Sequence, residues 1–218
     1  MSPPRALLLD VLDTLVRDPF HDALPAFFGL DLPGFLAAKA PDVWPAFERG
    51  DLDEPAYLAR MFRDGRAVDG AALRAALRGA YALLPGVAPL LDDLRAAGAP
   101  LYALSNYPPW WTLIEEALGL SRWLDWRFVS CRTGRRKPEP AAYLGAAAAL
   151  GLPPTACLLV DDRQGNVDAA LAVGMPALRF REAAALRRDL VAAGVLAPGG
   201  AGVSGPGPAP GAAPRPGS

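Results

Sequence analysis

The sequence predicts an α/β fold: a Rossmann-like, three-layer arrangement of a parallel sheet between helices, with an inserted helical segment. Three observations carry this. From residue 85 onward, short apolar runs alternate with helix-like segments, the pattern of βαβ units whose sheet is covered on both faces. Two of those runs (residues 101–104 and 158–160), like residues 7–9 near the start of the chain, are continuous rather than alternating, as buried parallel strands are. Residues 17–84, by contrast, carry helix signals and no strand signal.

Residues 7–10 read as a short buried strand ending in acid. The insertion follows, with helix-like stretches at 22–28, 32–40, 43–49, 54–63 and 71–84. Asp42, Asp53 and Asp69 stand where N-caps belong. Residues 85–98 read as a helix stopped by Gly98. Strands at 101–104, 126–130, 158–160 and 177–180 then alternate with helices at 110–118, 139–150, 167–173 and 182–193. The expected organisation is a core of residues 1–16 and 85–196, an insertion at 17–84, and a Gly/Pro/Ala-rich tail at 197–218 that cannot bury enough apolar surface to order itself.

A chain of 218 residues that is 52% hydrophobic can bury a substantial core. Its net charge of −1 gives no electrostatic case for nucleic acid or an anionic membrane as partner. No apolar run reaches the ~20 residues that span a bilayer. Two cysteines, Cys131 and Cys157, make no disulfide framework, and Cys157 reads as a small buried hydrophobe. Met1 lies a few residues before the first strand, so the sequence as given reads as lacking a targeting peptide, and the expectation is a soluble intracellular protein or one whose targeting segment has been removed. Oligomeric state is left open.

In an open parallel sheet the carboxyl ends of the strands share one edge, where ligands bind. Asp10, Ser105, Asp161 and Asp162 all follow strand-like runs and so could share one cleft. Asp10 could attack phosphorus and split one difficult step into two; the bland alternative is a turn cap. Ser105 and Asn106 offer a hydroxyl and backbone N–H groups suited to phosphate oxygens, or an ordinary helix cap. Lys137 is one of only two lysines, the other being Lys39, in a chain where arginine outnumbers lysine about ten to one. A compact ammonium does what a planar guanidinium cannot, and Lys137 would neutralise charge on a nucleophile and a phosphoryl group. Its neighbours Arg135 and Arg136 read as surface residues or contacts to a substrate anion. Asp161 and Asp162 repel one another, and with Asp10 they form an oxygen-rich set suited to Mg²⁺. Asn166 could orient them.

Taken in order, Asp10-Val11-Leu12-Asp13-Thr14, Ser105, Lys137-Pro138-Glu139-Pro140 and Asp161-Asp162 resemble the motifs of the haloacid dehalogenase (HAD) superfamily of hydrolases from about residue 7 to residue 181. The resemblance implies that residues 17–84 form a helical cap, that Asp10 forms an aspartyl-phosphate, and that Mg²⁺ is held by Asp10, the Leu12 carbonyl, Asp162 and, directly or through water, Asp161. It also exposes a departure. The family's second aspartate, which protonates the leaving group, is here Leu12. Asp13 is either its substitute or a turn-former, and His21 is another conceivable donor.

Three branches compete. The dehalogenase branch lacks the acidic pair at 161–162. The phosphonatase branch uses a cap lysine as a Schiff base, for which Lys39 is available. The match is strongest to the plant flavin mononucleotide hydrolases of chloroplasts, carried by Asp10-Val11-Leu12-Asp13-Thr14-Leu15-Val16-Arg17-Asp18-Pro19-Phe20, by Ser105-Asn106-Tyr107-Pro108 and by Asp161-Asp162-Arg163-Gln164-Gly165-Asn166. That kinship implies a phosphatase acting on flavin mononucleotide (FMN), in the stroma if it holds and in the cytoplasm otherwise. Phe20, Phe27, Phe28, Trp44, Tyr107, Trp110 and Trp111 offer ring faces for a flavin, or simply pack the cap. A different class of reading is a non-catalytic binding protein on the same scaffold; the costly cluster of charge argues against it.

Overall fold

Five parallel strands form one sheet in the order β3-β2-β1-β4-β5 in a computed structural model that describes residues 3–198. They are β1 (Ala6–Leu9), β2 (Leu101–Ser105), β3 (Asp125–Val129), β4 (Cys157–Asp161) and β5 (Ala177–Arg179). β1 is central, with Leu7 paired to Leu101 on one side and Leu158 on the other. Both its faces are covered: Leu7 and Leu9 enter one apolar cluster, Ala6 and Leu8 the other. A strand buried on both sides has no reason to alternate, hence the unbroken Ala-Leu-Leu-Leu.

The helices are α1 (Ala23–Phe27), α2 (Leu32–Ala38), α3 (Val43–Arg49), α4 (Glu54–Arg60), α5 (Gly70–Ala80), α6 (Val87–Ala96), α7 (Trp111–Leu118), α8 (Ser130–Thr133), α9 (Pro140–Ala149), α10 (Gln164–Ala172) and α11 (Ala183–Ala192). Leu90 and Leu94 of α6, Ile114 of α7 and Leu190 of α11 pack on one face of the sheet. Tyr143 and Ala147 of α9 and Ala170 of α10 pack on the other. This gives the three layers expected. The predicted disorder of the tail falls, from residue 199 on, outside the described residues.

Between β1 and α6 the chain carries α1–α5 and no strand. Asp31, Asp53 and Asp69 cap their helices, accepting the N–H of Gly34 at 2.9 Å, Ala56 at 2.8 Å and Ala72 at 3.0 Å. Asp42 does not cap α3. Its backbone is helical (φ −96°, ψ −7°) rather than extended, which turns the carboxylate away from the free N–H groups. The last helix of this segment ends at Ala80, four residues before the sequence pattern suggested, because Tyr81 turns extended. That frees residues 82–84 to run beside the entering chain: Arg17 N–H donates to Ala82 at 2.9 Å and Leu84 N–H to Leu15 at 2.9 Å. Entry and exit of the segment are thus tied together at the edge of the sheet. At the far end of α3, Gly50 has φ +81° and packs so closely that a Cβ there would lie 2.6 Å from the Cys131 carbonyl oxygen.

Candidate active site

β1 and β4 lie side by side, but the chain leaves β1 towards β2 and leaves β4 towards β5. Such a reversal opens a crevice at the carboxyl ends of the strands. Asp10 stands directly after β1 and Asp161 ends β4, so both acids face it. The Lys137 ammonium sits between them, 2.7 Å from Asp10 Oδ1 and 2.5 Å from Asp161 Oδ2. All three are buried.

Each group is held from behind. Asn106 clamps the main chain of Lys137: its Nδ2 donates to the lysine carbonyl at 2.8 Å and its Oδ1 accepts the lysine N–H at 2.8 Å. The Asp161 carboxylate also accepts the Arg163 N–H at 2.9 Å and the Asn166 amide at 2.9 and 3.0 Å. Thr14 donates its hydroxyl to Asp10 Oδ2 at 3.2 Å. Charge-assisted bonds in a low-dielectric pocket fix geometry tightly.

The charge in this pocket is unbalanced. Burial pushes the Asp10 carboxyl up to about 7; Lys137 opposes this, while Asp161 and Asp162 add to it. Burial and then Asp161 likewise push Asp162 up. Burial draws the Lys137 ammonium down, but Asp10 and Asp161 more than offset it and hold it above its usual range. One ammonium therefore faces three carboxyl groups. Asp10, Asp161 and Asp162 each offer an oxygen, and these lie within 4.8 Å of one another. An all-oxygen donor set with surplus negative charge fits a hard divalent cation such as Mg²⁺.

The crevice opens into a cavity of about 280 Å³. Asp10, Leu12, Ser105 and Lys137 line it from the sheet side; Phe20, Leu24, Lys39 and Trp44 line it from the helical segment. Ser105 makes no side-chain hydrogen bond among the described residues, leaving its hydroxyl for a ligand. The side chain of Asn106 is not free in this way, since both its polar atoms are spent on Lys137. Asp13 is near but does not line the cavity. It occupies a left-handed turn (φ +56°), a conformation aspartate tolerates better than most residues. Its Oδ1 accepts the Asp18 N–H at 3.1 Å, and its Oδ2 lies 3.4 Å from His21 Nε2.

Three further polar side chains line the cavity without having been singled out in the sequence for this site, Asp18, Glu48 and Arg163, and Arg136, one of the two arginines offered as surface residues or contacts to a substrate anion, lines it too. Glu48 is buried and accepts Trp44 Nε1 at 2.6 Å and Arg136 Nε at 2.7 Å, bridging α3 to the loop that carries Lys137. Burial pushes its carboxyl up, with Arg136 holding it down. One signal was present, an acid four residues after Trp44 in a helix whose only other polar residue is Arg49. Its partner, 88 residues away, was not visible.

A doubly wound sheet with a lysine between two strand-end acids defines a class, and the chain belongs to it: the sequence model of the haloacid dehalogenase-like hydrolases matches residues 5–174. Within that family the chain is 43% identical to flavin mononucleotide hydrolase 1 of Arabidopsis thaliana, a protein named as chloroplastic, over 189 residues, 87% of this chain and 77% of that one. It is 32% identical to the phosphoglycolate phosphatase of Escherichia coli K12 over 97 residues, 44% of this chain and 38% of that protein. Among solved structures, a HAD family enzyme of Bacteroides thetaiotaomicron superposes with a TM-score of 0.67 at 18% identity, covering 83% of this chain and 95% of its own. A HAD family hydrolase of Deinococcus radiodurans with bound phosphate and sodium gives 0.62 at 24% identity, covering 91% and 100%. These two share the fold. No helix among the described residues is long and apolar enough to cross a membrane.

Proposed function

We propose that this hydrolase is a Mg²⁺-dependent phosphatase acting on a small phosphate monoester, FMN above all, with residues 1–16 and 85–196 as its catalytic core and 17–84 as a cap over the cleft. The observation that carries the phosphatase reading is Lys137 lying 2.7 Å from Asp10 at the switch point of the sheet. In this reading Asp10 attacks phosphorus and forms an aspartyl-phosphate that water then hydrolyses. Lys137 offsets the charge gathered on Asp10 and the phosphoryl oxygens, and the Ser105 hydroxyl donates to one of those oxygens. Asp10, Asp161, Asp162 and the Leu12 carbonyl would hold Mg²⁺, which when bound neutralises phosphoryl charge. A relative's structure solved with magnesium and inorganic phosphate supports the choice of ion. FMN as substrate rests on the 43% identity to the Arabidopsis hydrolase. The Phe20 and Trp44 rings on the cavity wall suit a flat heterocycle.

The test is phosphate release from FMN and from p-nitrophenyl phosphate, with Mg²⁺ or with chelator. Mg²⁺-dependent release from both is expected; release from the nitrophenyl ester alone would refute the flavin substrate, and release from neither would refute the phosphatase. A second reading, phosphonate cleavage through a Schiff base, is favoured by one observation: Lys39 lines the same cavity, and burial lowers its ammonium pKa. Borohydride trapping of a carbonyl phosphonate on Lys39 would establish it. The kinship to a chloroplast protein also supports a plastid location, tested by imaging the tagged protein in its own cells.

A further inference from the structure

Breaking a phosphate ester of an aliphatic alcohol leaves an alkoxide that must be protonated as it departs. If the cleft works as proposed above, one of its own groups has to supply that proton. Leu12 offers only an alkyl chain. Most of the titratable groups on the cavity wall are already committed. Asp10 is the nucleophile, and Lys137 is bonded to two carboxylates. Both oxygens of Glu48 are taken, one by Trp44 and one by Arg136. The Lys39 ammonium lies over the Phe20 ring, 4.9 Å from its centroid. The Tyr107 hydroxyl is paired with that of Tyr81 at 2.7 Å. His21 directs Nε2 at Asp13. Arg136 and Arg163 do not give up protons at neutral pH.

Asp18 remains. Its Oδ1 accepts the Phe20 N–H at 2.9 Å, while its Oδ2 has no hydrogen bond among the described residues. It lines the cavity together with Asp10 and Leu12. Its main chain is pinned from both sides: the Asp13 carboxylate accepts its N–H at 3.1 Å, and Pro19 follows it. We propose that Asp18 is the proton donor and acceptor of this phosphatase, and that Asp13 is its positioning residue rather than the acid itself. In the first step Asp10 forms a bond to phosphorus, the bond to the ester oxygen breaks, and that oxygen takes the Asp18 proton and leaves as the alcohol. In the second step water attacks phosphorus, Asp18 takes its proton, and the bond to Asp10 breaks. Inorganic phosphate leaves, and both aspartates return to their starting states. The surroundings suit the task. Burial pushes the Asp18 carboxyl up and Asp13 adds to this, opposed by the Phe20 N–H, His21 and Arg163. Such a group carries a proton nearer to neutral pH than a solvated aspartate does.

The test compares Asp18→Asn with the wild type on FMN, on an alkyl phosphate such as glycerol phosphate, and on p-nitrophenyl phosphate, by rapid quench. Asn keeps the bond to Phe20 N–H, so the loop is preserved. The expected result is a loss of about 10²–10⁴-fold in the first step on the alkyl esters, with the nitrophenol burst within a few-fold of wild type and slow turnover after it. Equal losses on all esters, or none on the alkyl ones, would overturn the proposal. So would the same leaving-group selectivity arising from His21→Gln instead. A wild type that fails on FMN yet cleaves glycerol phosphate refutes the flavin substrate alone, whereas a wild type that cleaves none of them overturns both.

Discussion

The two walls of the cleft are built on opposite principles. The sheet-side wall buries Asp10, Lys137 and Asp161, whose carboxylates and ammonium are bonded to one another and to Asn166 and Thr14, with Asn106 clamping the lysine main chain. The wall from the helical segment presents the Phe20 and Trp44 rings, backed by an aromatic cluster: Phe47 stacks on Tyr57 at 4.4 Å, Trp110 of the core meets Phe47 edge-on at 5.1 Å, and Trp44 joins both Tyr57 and the core's Tyr107. Buried charge is costly and tolerates little displacement. Aromatic packing is favourable in itself and tolerates changes of shape. Under the function proposed, the difference separates chemistry from selection: the polar wall would set what is done to the phosphate, and the aromatic wall which ester is admitted. Glu48, bonded to Trp44 on one side and Arg136 on the other, joins the two.

The largest effect expected from breaking this contrast is at Lys137. Replacing it with alanine leaves Asp10 and Asp161 buried without their cation. The expected loss is about 3–5 kcal/mol of stability, together with turnover, read by denaturant unfolding and phosphate release. Asn106→Ala is gentler because it removes only the clamp. A small displacement of Lys137 should lower kcat up to about 10²-fold while barely moving Tm.

A pH series sharpens the same point. The Asp10 carboxyl is held up at about 7 in the folded protein against 3.8 as its ordinary value. The fold thus favours its protonated form. Its contribution to stability is fully present below about pH 4 and is lost as pH rises through about 7. The metal-free protein should therefore lose Tm over that interval, with Asp162 acting in the same direction. Mg²⁺ at 100 times its Kd should return about 2.7 kcal/mol at neutral pH, and Asp10→Asn should flatten the metal-free decline. The smallest effect falls on the aromatic wall. Trp44→Ala should raise KM for FMN about threefold to tenfold, the worth of one ring contact, and leave kcat for p-nitrophenyl phosphate within a factor of two or so.

The same contrast governs how much of the molecule was legible in its sequence. Asp10 and Asp161 stood out because an acid closing an unbroken apolar run is an anomaly, and the parallel sheet was legible in β1, β2 and β4, whose residues do not alternate. Lys137 stood out by rarity. Trp44 and Phe20 did not, because a ring lining a ligand cavity and a ring packing a helix look the same in one dimension. Glu48 was hidden, as was its pairing with Arg136, because an acid on a helix is ordinary until its partner, 88 residues away, is beside it. Asp18 carries no signal of its own before Pro19; only the cavity reveals that one of its oxygens has no hydrogen bond among the described residues. At Ser105 and Asn106 the sequence offers a hydroxyl and backbone N–H groups; what it hides is that the Asn106 side chain, opposite Lys137, is committed to the backbone of that lysine.

The most direct test of the account is to quench the enzyme with acid during turnover of p-nitrophenyl phosphate in Mg²⁺ and to map its peptides by mass spectrometry. A phosphoryl group on the peptide bearing Asp10, absent from Asp10→Asn and from enzyme treated with chelator, is the predicted result. Undiminished turnover by Asp10→Asn, or a phosphoryl group on any other residue, would contradict it.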